Sequence, residues 1–223
     1  MPKSSDKEIT VIGAGIVGIC CACYLQKSGF QVTLVDREEP AMQTSFGNAG
    51  GISPGSVTPL GMPGIWKQIP RWLLDDNAPL VIKGRYLPKA LPWLARFALQ
   101  SRPSRVRQIS KALEALNSPT FHAYQPLLED AALTQLFHQS GQLFLYRNRQ
   151  DMDKDTLTHE LRLDRGASIE FLNAEEIREI EPAISPIFEA GYLMPDNGHC
   201  KDPYGLASGL VKMFVNKGGF LVK

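Results

Sequence analysis

Long apolar runs are missing from this sequence. No stretch approaches the roughly 20 residues that a bilayer-spanning helix needs. Cysteine is scarce, at four in 223 residues. Cys20, Cys21 and Cys23 crowd into one segment and Cys200 stands alone, so no disulfide framework or zinc-ligand spacing can be drawn. That excludes a small disulfide-stapled fold and predicts a reducing compartment, with the three clustered cysteines as small packing residues. The opening Met1 to Glu8 is polar and lacks the apolar core of a signal peptide, so a cytoplasmic location is expected. Net charge is only +1, which offers no attraction to polyanions, and no nucleic acid partner is expected. No internal repeat is present. With 43% hydrophobic and 21% charged residues, the chain has the composition of a globular protein able to bury a sizeable core.

The informative stretch is Ile9 to Asp36. Ile9, Val11 and Ile12 form a short β-branched run that ends at Gly13, and Gly13, Gly15 and Gly18 spell G-x-G-x-x-G. Ile16, Ile19, Cys20, Cys23, Tyr24 and Lys27 follow at helical spacing, and Gly29 stops the helix. Gln31 to Val35 predicts a second strand, closed by Asp36. The three glycines serve different ends. Gly13 permits a tight turn, Gly15 lets the backbone approach a pyrophosphate closely, and Gly18 lets the helix pack close to the sheet. The helix N-terminus presents free N–H groups to phosphate, and Asp36 stands where a carboxylate accepts from ribose hydroxyls. A glycine- and hydroxyl-rich loop, Thr44 to Gly55, comes next and supplies further backbone donors.

V-I-G-A-G-I-V-G, L-V-D-R and T-S-F-G-N-A-G-G-I-S-P-G together resemble the FAD-dependent D-amino-acid oxidase superfamily, most closely its bacterial D-amino-acid dehydrogenase branch. The resemblance implies an α/β architecture: a Rossmann-like FAD-binding domain with an inserted helical region and part of a substrate-domain β-sheet. It implies cofactor contacts from Gly13, Ala14, Gly15, Ile16, Val17 and Gly18, from Asp36 and Arg37, and from Ser45, Asn48, Ala49, Gly50 and Gly51. The loop has no His or Cys for a flavin linkage, so FAD is expected to be non-covalent. The implied reaction is oxidation of the CH–NH bond of a D-amino acid to a 2-oxo acid and ammonia, with electrons passed to an acceptor other than oxygen, such as a membrane quinone. A glycine, sarcosine or opine oxidase and a catalytically incomplete FAD-binding fragment or subunit stay open as alternatives. No second G-x-G follows Gly18. In the family the second flavin-contacting segment and the substrate-binding Tyr and Arg residues come later than residue 223, so no catalytic residue is nominated and the chain is expected to be truncated relative to the family.

The expected organisation is residues 1–60 as the first part of the FAD domain, 61–140 helical, 141–200 part of the substrate domain, and 201–223 returning to the FAD domain. Short helices broken at Pro70, Pro79, Pro88 and Pro92 are predicted, then a helix after Pro103 with Val106, Ile109, Leu113 and Leu116 on one face. Ser118 is expected to cap a helix over 120–128. A strand over 141–147, one helix over 151–165 and a strand over 169–172 follow. Asn173 and Glu176 make a capping box for a helix over 174–180. A strand over 190–194, a turn over 196–199 that includes His199, and a helix capped by Asp202 complete the reading. Residues 60–111 hold ten bases against two acids and all three tryptophans, Trp66, Trp72 and Trp93. That makes the stretch either an ordinary helical region with its bases in water or a peripheral contact for the anionic cytoplasmic membrane face.

Overall fold

The structure is a computed structural model that describes residues 7–67 and 84–223. The chain divides into two compact units: Met1–Ser53 with Pro119–Gln142 and Pro195–Lys223, and Pro54–Ser118 with Leu143–Met194.

In the first unit, β1 (Glu8–Ile12) and β2 (Gln31–Val35) pair in parallel, and β9 (Phe220–Val222) pairs in parallel on the far side of β2. The order β1-β2-β9 leaves β1 with a neighbour on one side only among the described residues. The crossover helix α1 (Ile16–Lys27) buries Ile19, Ala22 and Cys23. Its partner is α8 (Pro203–Asn216), which buries Leu206, Ala207, Leu210 and Phe214. These residues, with Val32 and Leu34 from β2, form one continuous core. α8 starts as predicted: Asp202 Oδ1 accepts from the Gly205 amide at 2.7 Å, and Pro203 occupies the first turn, where its missing N–H costs nothing. α4 (Thr120–Ala131) packs into the same core through Leu127 and Leu128. A second sheet has the order β3 (Gly51–Ile52), β8 (Gly198–Cys200), β4 (Phe137–His138), both pairs antiparallel.

The second unit contains α2 (Leu87–Gln100) and α3 (Pro103–Asn117). It also holds a sheet in the order β5 (Gln142–Tyr146), β7 (Ala190–Met194), β6 (Glu170–Asn173). α5 (Arg149–Lys154), α6 (Thr156–Asp164) and α7 (Ala174–Ile180) complete it. The capping box forms: Asn173 Oδ1 accepts from Glu175 and Glu176 amides at 2.8 and 3.1 Å, and Glu176 Oε2 accepts from the Asn173 amide at 2.7 Å. Arg162 lies buried beside the stacked rings of Phe144 and Tyr192, 4.9 and 5.5 Å from their centroids, and donates through Nη1 to the Tyr192 hydroxyl.

Several expectations are corrected. Neither Pro88 nor Pro92 breaks a helix; α2 runs through both. Pro88 sits in the first turn, and the bond Pro92 forgoes would reach only the Pro88 carbonyl, also in that turn, so the loss is confined to the helix start. Ser118 does not cap the start of α4 but is the C-cap of α3, its amide donating to the Glu114 carbonyl, and α4 begins after Pro119 and continues through Pro126 to Ala131. Residues 151–165 form two helices, not one, parted at Asp155, with Asn148 capping the first. Leu116 leaves the predicted stripe and is 74% exposed, while Ser110 is buried beside Val106. His199 is not in a turn but in the middle of strand β8. The breaks expected at Pro70 and Pro79, and Arg71, Trp72 and Lys83, lie outside the described residues.

Candidate cofactor site

The first unit gathers three separated stretches around the N-terminus of α1. Gly13 leaves β1 with φ +105°, a left-handed conformation that favours glycine, and its amide donates to the Val35 carbonyl at 2.7 Å. Gly18 is forced by packing: a Cβ there would stand 1.8 Å from the Gly13 carbonyl oxygen. Gly15 is ordinary extended backbone at φ −76°, ψ 173°, and a Cβ there would stand 3.3 Å from Ser45 Oγ. The absence of that Cβ keeps the helix N-terminus open.

Asp36 closes the turn from the β2 side. Its Oδ2 accepts from the Ala14 amide at 2.7 Å and its Oδ1 from the Glu38 amide at 3.1 Å. Those amides, Ala14 first, hold its carboxyl below the usual carboxylate range. Asp36 thus also fastens the glycine turn, a second role that its position alone did not announce.

The loop after β2 reaches the same place. Ser45 Oγ accepts from the Ile16 amide at 2.9 Å, within the first turn of α1. Asn48 braces the loop from both ends: Nδ2 donates to the Ser45 carbonyl at 2.7 Å and Oδ1 accepts from the Gly50 amide at 2.8 Å. Gly50 has φ +67°, and a Cβ on it would lie 2.2 Å from the Cys200 carbonyl oxygen. The Cys200 amide donates to the Gly50 carbonyl at 2.7 Å, which stitches the loop to β8.

A cleft of about 490 Å³ opens along these groups. Of the residues singled out in the sequence, Gly15, Ile16, Val17, Ser45, Asn48, Gly50 and Gly51 line it. Gly13, Ala14 and Gly18 shape the turn without lining the cleft, and Arg37 and Ala49 are exposed and away from its lining. Sequence reasoning missed Tyr124, Phe137, Cys200 and Leu206 in the wall. Phe137 and Cys200 are directly opposed partners of the β4–β8 ladder, a pairing that no local pattern announces. Burial raises the Cys200 thiol in the wall, and in α1 it pushes Cys20 up to about 12 and Cys23 up to about 11, which favours the protonated thiol. Cys21 departs from the packing expectation and is exposed.

A turn with Gly13 held by its left-handed φ and Gly18 by packing, an open helix N-terminus and a carboxylate at the second strand end suit a dinucleotide diphosphate and its ribose. Comparison with known proteins agrees. The family of FAD-dependent oxidoreductases of the DAO type matches residues 8–223. The chain belongs to that family, whose cofactor is FAD. It is 36% identical over its whole length to a D-amino-acid oxidase of Bradyrhizobium diazoefficiens, covering 53% of that protein. It is 31% identical over 86% of its length to a D-amino acid dehydrogenase of Vibrio cholerae, covering 47% of that one. The chain therefore spans about half the length of the curated relatives it matches. Among solved structures, glycine oxidase from Bacillus cereus superposes with a TM-score of 0.59 at 16% identity, over 97% of this chain and 46% of that one. L-proline dehydrogenase from P. horikoshii gives 0.58 at 19%, over 100% and 45%. At such identities these two establish the fold alone. No helix among the described residues is long and apolar enough to cross a membrane.

Proposed function

We propose that the α1 N-terminus, Asp36 and the Ser45–Gly51 loop hold FAD non-covalently, and that the protein oxidises the CH–NH bond of D-amino acids to 2-oxo acids and ammonia. The carrying observation is the convergence of the loop on the helix N-terminus, with Ser45 Oγ on the Ile16 amide. In this reading the first-turn amides of α1 beyond Ile16, whose own amide Ser45 holds, receive the diphosphate. Asp36 keeps the turn in register and offers its carboxylate to the ribose. Asn48 fixes the loop so that Gly50 and Gly51 run beside the cofactor without side chains in the way. Bound FAD supplies the two-electron acceptor chemistry, and the protein's part is to hold and orient. The names of the two relatives support a D-amino acid as substrate. The electron acceptor proposed is one other than oxygen, such as a membrane quinone.

A peripheral membrane contact through residues 60–111 belongs to the same reading. Lys67, Arg85, Lys89, Arg96, Arg102, Arg105 and Lys111 are exposed, as is Trp93, which stacks on Phe97 at 5.2 Å. Each base near an anionic surface contributes about 1 kcal/mol. Arg107 is partly engaged by Glu160 and Asp164, at 3.7 and 3.5 Å.

The test is a flavin absorption spectrum of the protein from its complete gene, then turnover with a panel of D-amino acids, glycine and sarcosine, followed by dye reduction and by oxygen uptake. Dye reduction with D-amino acids and little oxygen uptake is expected. A colourless protein would refute the cofactor reading, preference for glycine or sarcosine the substrate, and rapid oxygen uptake the acceptor.

A further inference from the structure

The sheet that carries Gly51 has a second face, which the cofactor reading does not use. Ile52, Phe137 and Cys200 pack against the core, so strand alternation turns His138 and His199 to the opposite side. These two histidines are directly opposed partners in the antiparallel β4–β8 ladder, a placement that sets Cβ atoms about 5 Å apart. Their rings stack with centroids 5.6 Å apart and planes 24° from parallel.

Each ring already has one nitrogen engaged. His138 Nε2 lies 2.9 Å from the Gln135 carbonyl oxygen. A carbonyl only accepts, so Nε2 carries the proton and the lone pair falls to Nδ1. His199 Nδ1 lies 3.1 Å from Ser140 Oγ. The hydroxyl can donate or accept, and when Nδ1 donates to it the lone pair is left on Nε2, the tautomer that binding an ion there selects. A ring held through one nitrogen by a carbonyl or other oxygen, with the other nitrogen free to bind, is the pattern of metal-ligating histidines. Two imidazoles bound to one ion at about 2.1 Å put their ring centres about 5 Å apart, near the 5.6 Å of the stack, and the rings must turn out of that stack to aim both lone pairs at one ion.

We infer that His138 and His199 form a two-imidazole site for a borderline divalent transition metal, of the class of Zn²⁺, Ni²⁺ or Cu²⁺. Among the described residues no group of three or more His, Cys, Asp or Glu could hold an ion, so water completes the coordination and binding is weak and reversible. The site has a structural consequence. β8 is the central strand, and His199 pairs on its other side with Gly51. An ion bridging β4 and β8 fastens the ladder on which the end of the Ser45–Gly51 loop rests.

The test is calorimetric titration of the purified chain with Ni²⁺ in a non-chelating buffer. One ion per chain is expected, with at least tenfold weaker binding in His138→Gln and in His199→Gln and no change in Cys21→Ser or His122→Gln. No binding by the unaltered chain, histidine variants that bind like it, or an equal loss in Cys21→Ser would overturn the inference. A measurement that needs neither histidine variant guards against misfolding: Cu²⁺ electron paramagnetic resonance on the Cys21→Ser chain. Coupling to two imidazole nitrogens is expected; coupling to one or none overturns the site and leaves ring stacking alone.

Discussion

Gly15 and Gly18 stand three residues apart in one motif, and alanine at each should fail in a different way. At Gly18 a Cβ would meet the Gly13 carbonyl oxygen at 1.8 Å and its carbon at 3.0 Å. The neighbour is backbone and cannot swing aside. Alanine regains about 1 kcal/mol of helix propensity, but overpacking of this severity costs about 3 kcal/mol or more. The net is a loss of about 2 kcal/mol, or roughly 4–8 °C in melting temperature for a protein of this size. At Gly15 the backbone is already extended, and the nearest atom to a new Cβ is Ser45 Oγ at 3.3 Å. Folding should change by no more than about 0.5 kcal/mol. The methyl group would, however, sit where a diphosphate oxygen approaches the helix. Losing one charge-assisted hydrogen bond there costs about 1.5–3 kcal/mol, roughly ten- to hundredfold in Kd. The assay pairs thermal melting without flavin against FAD titration by flavin fluorescence, on protein from the complete gene. Gly15→Ala should melt normally and bind FAD poorly, and Gly18→Ala should melt early. A Gly15→Ala protein that binds FAD like the unaltered one would refute the assignment of the helix N-terminus. A Gly18→Ala protein with unchanged melting would refute the packing argument.

Asp36→Asn should weaken FAD binding and loosen the turn. Because its carboxyl lies below the usual range, the turn contact is present above about pH 4 and fades only as pH falls through the lowered value. FAD affinity that varied between pH 5 and 8 in the unaltered protein but not in Asp36→Asn would contradict this. His159 is 8% exposed, its Nε2 has no hydrogen-bond partner, and burial lowers its pKa from the ordinary 6.5. The unfolded chain then binds the proton more readily, so stability should fall as pH drops below about 6.5, and His159→Phe should flatten that slope in melts between pH 7 and 5. Arg162→Met should fold at least as well as Arg162→Lys, since a lysine ammonium would keep the buried charge without guanidinium stacking on Phe144 and Tyr192; the reverse order of melting temperatures would count against the ring-stacked account. Co-sedimentation should favour anionic over neutral vesicles and weaken with salt; equal, salt-independent binding to both would rule out the basic stretch as a membrane contact.

The glycine turn was legible because its constraints are local. Strand, glycine spacing and helix period follow one another in a single segment, and Asp202 and Asn173 likewise cap helices that begin beside them. What escaped depended on pairing across distance. His199 and Gly51 look like loop residues in isolation, since a two- or three-residue strand has no period to detect; only the β3–β8–β4 ladder makes them strands. Pro92 misled for a related reason. Proline is costly by the bond and space it takes four residues back, and here that carbonyl, on Pro88, lies at the start of the helix. Leu116 was placed by period in a stripe whose neighbours do not extend far enough to cover it.

The pairing of β2 with β9 has a consequence for how the protein is made. Thr33 and Phe220 are register partners almost a chain length apart, and closing a loop of that size costs about 5 kcal/mol before any contact repays it. During synthesis, β1, α1 and β2 emerge early and wait while the whole second unit is translated. α8, which covers α1, and β9, which pairs with β2, are translated only after it. The apolar face of α1 is therefore exposed until they emerge, and the glycine turn gains the support of β9 only then. Slow emergence of that stretch would leave the face open to wrong partners, so the glycine turn is synthesised before the second unit and secured after it.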